Sequence, residues 1–115
     1  MKHAETIKKM TLRQKADFLT GKDFWQTQEY PELGIKQMFL SDGPHGLRKQ
    51  AAAADHLGLN PSIPATCFPT AATMANSWNP DLGEVMGEAL GEEAASMSVN
   101  VLLGPGINIK RNPRC

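Results

Sequence analysis

Long apolar runs are missing from this chain. The longest, over residues 99–103, is interrupted by Asn100 and falls far short of the ~20 residues that a membrane-spanning helix requires. A helical membrane span is therefore excluded. The opening Met-Lys-His-Ala-Glu-Thr mixes charges and lacks the apolar stretch of roughly 7–15 residues that directs secretion, which favours the cytoplasm. Cysteine is scarce. Cys67 and Cys115 are far apart with no C-x-x-C pairing, so neither a zinc site nor a redox motif has support, and free thiols are expected. An excess of one charge is also absent. Twelve basic residues balance twelve acidic ones, which leaves no global field to recommend nucleic acid or an anionic membrane as partner.

What is present is the composition of one ordinary soluble domain, with 41% hydrophobic and 21% charged residues in 115. The charges are unevenly placed. Residues 51–100 hold Asp55, Asp81, Glu84, Glu88, Glu92 and Glu93 without a Lys or Arg, whereas Lys110, Arg111 and Arg114 crowd the last six positions. One short basic end is weak support for RNA binding.

Local signals divide the chain into elements. Thr11 followed by Gln14 is a capping-box pattern, Leu12, Ala16 and Leu19 recur at helical spacing, and Gly21 supplies a stop. A helix over 11–20 is predicted. Residues 21–34, with Pro31 and Gly34, read as an irregular connection. Residues 35–40 are rich in Ile, Met, Phe and Leu and run into Ser41-Asp42-Gly43-Pro44, which predicts a strand closed by a turn. The stretch 44–69 contains four prolines and is too irregular for a plain connector; such loops are usually functional or disordered. Residues 70–78 are ambiguous, since their alanines favour helix while the short span between Pro69 and Asn79-Pro80 suits a buried strand. We assign strand. Asn79 and Pro80 then form a cap and first helical position, and a helix over 80–97 follows. Its apolar arc comprises Leu82, Val85, Met86, Ala89, Leu90 and Met97, with Glu84, Glu88 and Glu92 opposite. A strand over 99–103 ends at Gly104-Pro105-Gly106. Strand, helix and strand with short joints imply a parallel βαβ unit and an α/β protein.

In parallel sheets, ligand groups sit on the loops beyond the strands' C-terminal ends. Asp42 falls there. The usual role of an aspartate in an Asp-Gly pair is to cap its own turn, but Asp42, His45 and Arg48 lie within seven residues of one strand end. A carboxylate beside a guanidinium is suited to vicinal hydroxyls, so a neutral polyol is the partner this cluster fits. His45 is a candidate pocket-lining residue or an exposed turn histidine. His3 and His56 are too distant in sequence for metal-ligand spacing, and no metal or other cofactor is expected. Phe24, Trp25 and Tyr30 could stack on a sugar ring, although aromatics in a connection more often pin the loop to the body of the domain. Glu93 falls inside the apolar arc of the 80–97 helix, where a buried carboxylate must find partners, and a structural hydrogen bond is expected. Gly104-Pro105-Gly106 lacks the Lys-Ser/Thr of a phosphate loop.

The segments MTLRQKADFLTGKDFW, SDGPHGLRKQ, ATCFPTAATMANSWNPDL, LGEEA and VNVLLGPGINIKRNP resemble, in order and spacing, successive blocks of glycoside hydrolase family 3. The pairing of SDGPHGLR with LLGPGINIKRNP resembles its β-glucosidase-like branch in particular. That resemblance implies that residues 1–115 form an incomplete N-terminal portion of a (β/α)8 barrel domain with about three strands. It also implies that Asp42 and Arg48 bind the glycone of a β-glucoside or related oligosaccharide. The retaining, exo-acting chemistry of the family needs a nucleophilic aspartate and an acid/base glutamate, and the resemblance places both beyond this chain. Residue Arg114 departs from the hydrophobic residue the family pattern leads one to expect, which suggests a truncated or frame-shifted gene end. On this reading the chain alone is inactive, the alternative being a non-catalytic sugar-binding or interaction module. No feature sets an oligomeric state.

Overall fold

The computed structural model describes residues 2–51 and 61–106. Its elements, in chain order, are α1 (Ala4–Lys9), α2 (Leu12–Thr20), a 3-10 turn (Pro31–Leu33), β1 (Leu40–Asp42), α3 (Ala71–Asn76), α4 (Pro80–Ser96) and β2 (Val101–Leu103). Among the described residues no helix is long and apolar enough to cross a membrane. Helices and a parallel strand pair make the described part α/β.

Helix α2 forms where its capping box predicts. The Thr11 hydroxyl accepts from Gln14 N, and the Gln14 side chain accepts from Thr11 N. Helix α1 was not expected. It is a six-residue turn with Glu5 early and Lys8 and Lys9 late, an order that suits the helix dipole, and Glu5 pairs with Lys8 at 2.8 Å.

The predicted strand over 35–40 is corrected. Residues 35–39 turn back on 26–30 around the 3-10 turn, with Gly34 left-handed (φ 70). Tyr30 exchanges hydrogen bonds with Ile35, Thr27 N donates to Met38 O, and Leu40 N donates to Trp25 O. These antiparallel partners occupy the extended run, so the parallel ladder begins only at Leu40. Tyr30 also donates from its hydroxyl to Gln14 O at 3.3 Å, which fastens the connection to α2. Partial burial, then the Asp17 and Glu32 carboxylates, push its phenol above the ordinary 10.0. Trp25 is half-buried, whereas Phe24 is exposed; packing therefore accounts for two of the three aromatics.

Residues 70–78 are a second correction, and with them the count of about three strands. They form α3 because Thr70 caps it, accepting from Thr73 N, and Ala71, Ala72 and Ala75 lose no side-chain entropy in a helix. Trp78, at φ 53, breaks α3 from α4. The strand expected as first member of the βαβ unit thus does not exist. The parallel pair is β1 with β2, in register Leu40↔Val101, Ser41↔Leu102 and Asp42↔Leu103, and the crossover between them carries both α3 and α4.

Helix α4 starts at Pro80 as predicted, with Asn79 Oδ1 accepting from Asp81 N and Leu82 N. Its buried face is centred further along than the predicted arc. Leu90 and Ala94 are buried and Met97 packs on the core, but Leu82, Val85 and Ala89 are exposed. The core consists of Leu47, Ala94 and Val99, backed by Phe39, Met97 and Leu102.

Candidate functional site

Parallel pairing sets the C-terminal ends of β1 and β2 side by side, and the loops leaving them converge. A Cβ on Gly104 would lie 2.5 Å from Pro44 Cβ, so the loop after β2 rests directly on the loop after β1. Asp42 is the last residue of β1. Gly43 then turns the chain at φ 113, a conformation that favours glycine, and a Cβ there would be 1.9 Å from Gly46 O. No other residue type fits.

This turn brings two of the sequence-derived candidates together. Arg48 N donates to Asp42 O at 3.0 Å, and the two residues form an antiparallel bridge. Residues opposite one another in such a bridge project to one face with Cβ atoms about 5 Å apart. Asp42 is half-buried and Arg48 exposed. A carboxylate accepts from hydroxyls and a guanidinium only donates; side by side they can hold both ends of a vicinal diol. His45 is exposed at the tip of the turn, where its carbonyl accepts from Phe68 N at 2.8 Å.

Residues that make the site rigid were not singled out in the sequence. Leu47 is 3% exposed and plunges into the core between His45 and Arg48, which the alternation of apolar and polar types in Gly-Leu-Arg could have signalled. Ser41, 1% exposed, is the middle residue of β1, next to Asp42. Lys49 Nζ donates to Met97 O and sits 4.8 Å over the Phe39 ring, for which no local sequence signal exists. Among the described residues no group of three or more His, Cys, Asp or Glu could hold a metal ion. Cys67 is exposed with a free thiol. His56, Asp55, Cys115 and the basic end with Lys110, Arg111 and Arg114 lie outside the described residues, as does most of the GINIKRNP segment.

No protein-family profile matches the chain. Over 109 residues, 95% of its length, it is 53% identical to the thermostable β-glucosidase B of Acetivibrio thermocellus. Over 94% of its length it is 49% identical to the exo-α-(1→6)-L-arabinopyranosidase of Bifidobacterium longum. It superposes on the crystal structure of the Bifidobacterium adolescentis GH3 β-glucosidase with a TM-score of 0.76 and 45% identity over 93% of the chain. The chain belongs to glycoside hydrolase family 3. This family 3 chain spans 14% of the length of each of those three proteins. The resemblance of its motifs to the β-glucosidase-like branch thus agrees with the names its relatives carry.

Proposed function

We propose that this family 3 chain supplies part of the glycone-binding face of a (β/α)8 barrel. The whole enzyme would remove a monosaccharide from the non-reducing end of a β-glucoside or related oligosaccharide. One observation carries the reading: Asp42 and Arg48 stand opposite each other across a glycine-built turn at the C-terminal end of a parallel strand. That is the end at which barrel and open-sheet enzymes bind their ligands.

In this reading the Asp42 carboxylate accepts from two neighbouring ring hydroxyls, and Arg48 donates to one of the same oxygens. Both contacts strengthen when water is excluded. Retaining hydrolysis needs a nucleophile and an acid/base carboxylate about 5–5.5 Å apart; sequence outside these 115 residues supplies both. The names of the relatives include a glucosidase and an arabinopyranosidase, so the proposal stops at a terminal monosaccharide and does not choose one.

The test is a titration of the 115-residue chain with methyl β-D-glucoside, followed by amide NMR. Shifts confined to Gly43, Gly46 and Arg48, and lost in Asp42→Ala, support the site. Shifts that persist in Asp42→Ala would sink it.

A further inference from the structure

The turn that carries His45 and Arg48 does not stand alone. It runs against a return segment: Phe68 N donates to His45 O at 2.8 Å, Ile63 N to Lys49 O at 2.8 Å, and Ala51 N to Pro61 O at 3.0 Å. Gly46 lies so close that a Cβ there would be 3.0 Å from Thr66 O. This paired rim is fastened to the C-terminal end of α4 by two side chains of opposite charge. Lys49 reaches Met97 O, where a cation suits the helix dipole. Glu93 Oε1 accepts from Thr66 N at 2.8 Å.

Glu93 is unfavourable where it stands on every other count. It is an anion in the last turn of a helix, the end at which the dipole opposes negative charge. Its Oε2 is buried without a hydrogen-bond partner, which carries a desolvation cost. What offsets this among the described residues is the charge-assisted bond from the Thr66 amide. We propose that Glu93 is a positioning residue for the sugar site. Through Thr66 it sets the 61–68 segment, and through the His45 and Lys49 carbonyls that segment fixes where Arg48 stands relative to Asp42. The inference rests on the sugar-binding reading of Asp42 and Arg48.

Two variants of the 115-residue chain, Glu93→Ala and Glu93→Gln, test it with two readouts. The first is amide hydrogen exchange at Thr66, Ile63 and Phe68, with Val101 of β2 as internal reference. Glu93→Ala should speed exchange at the three rim amides about tenfold, as expected for loss of a hydrogen bond to a charged group, with Val101 little changed. Glu93→Gln keeps an acceptor for Thr66 N and should restore most of the protection. The second readout is the affinity for methyl β-D-glucoside, which should weaken about tenfold in Glu93→Ala and recover in Glu93→Gln. Rim exchange that stays at the parent rate in Glu93→Ala, or that rises in step with Val101, overturns the inference. So does faster rim exchange with unchanged sugar affinity. If the unaltered chain gives no sugar response while the rim amides behave as expected, the sugar reading of Asp42 and Arg48 fails and the mechanical role of Glu93 stands.

Discussion

Gly43 is the residue on which the site geometry turns. An added Cβ would meet Gly46 O at 1.9 Å and Arg48 N at 2.8 Å, both backbone atoms that cannot swing away, and φ is 113. We expect Gly43→Ala to lower stability by about 1–3 kcal/mol, the cost of a strained backbone conformation. It should also abolish the sugar-induced shift at Arg48, and urea unfolding with the same titration checks both. The crowding of Asp42, His45 and Arg48 at one strand end was legible in the sequence. Their pairing was not. Which of His45 and Arg48 faces Asp42 depends on the turn closing at Gly46 N to Gly43 O, and on Leu47 finding the core.

At the scale of elements, caps proved the dependable signals. The capping box of α2 and the Asn79-Pro80 start of α4 both form as read, since each is a hydrogen bond between residues two or three apart. Asn79→Ala should therefore cost about 1 kcal/mol, read as a lower urea midpoint with the slope unchanged. The strand assignments failed where neighbours alone could not decide. Thr70 was read as the start of a strand although it has the chemistry of a cap, and the tertiary structure uses it as one. Residues 35–39 have strand-forming side chains, but their partners are residues 26–30 rather than a second barrel strand. Glu93 was legible as an oddity on the helical wheel, and its need for a partner is met at Oε1 but not at Oε2; that the partner is the Thr66 amide has no trace in spacing.

The molecule as a whole is open. Its Cα radius of gyration is 17.3 Å, against about 13 Å for a compact domain of this length. It exposes 8942 Å², where a compact protein of its mass exposes about 6,200 Å². Trp78, Leu19 and Leu12 are each more than four-fifths exposed. Two three-residue strands and a small core hold the two strand ends together, and a barrel that encloses a reaction takes about 250 residues. Because Asp42 is, among the described residues, the one carboxylate in the paired strands and at their C-terminal ends, we expect the 115-residue chain to bind sugar without turning it over. Release of chromophore from an aryl β-glucoside by the purified chain would refute that expectation. The sequence by itself determined the starts of α2 and α4, the α/β class, the loop that carries Asp42 and Arg48, and the family, because each depends on bonds or motifs between near neighbours. Only the tertiary structure decided that β1 pairs with β2, that 35–39 folds onto 26–30, and that α4 fastens the rim of the site. Those choices join residues as far apart as Phe39 and Asn100, 61 positions along the chain, and no local preference can rank one such partner above another.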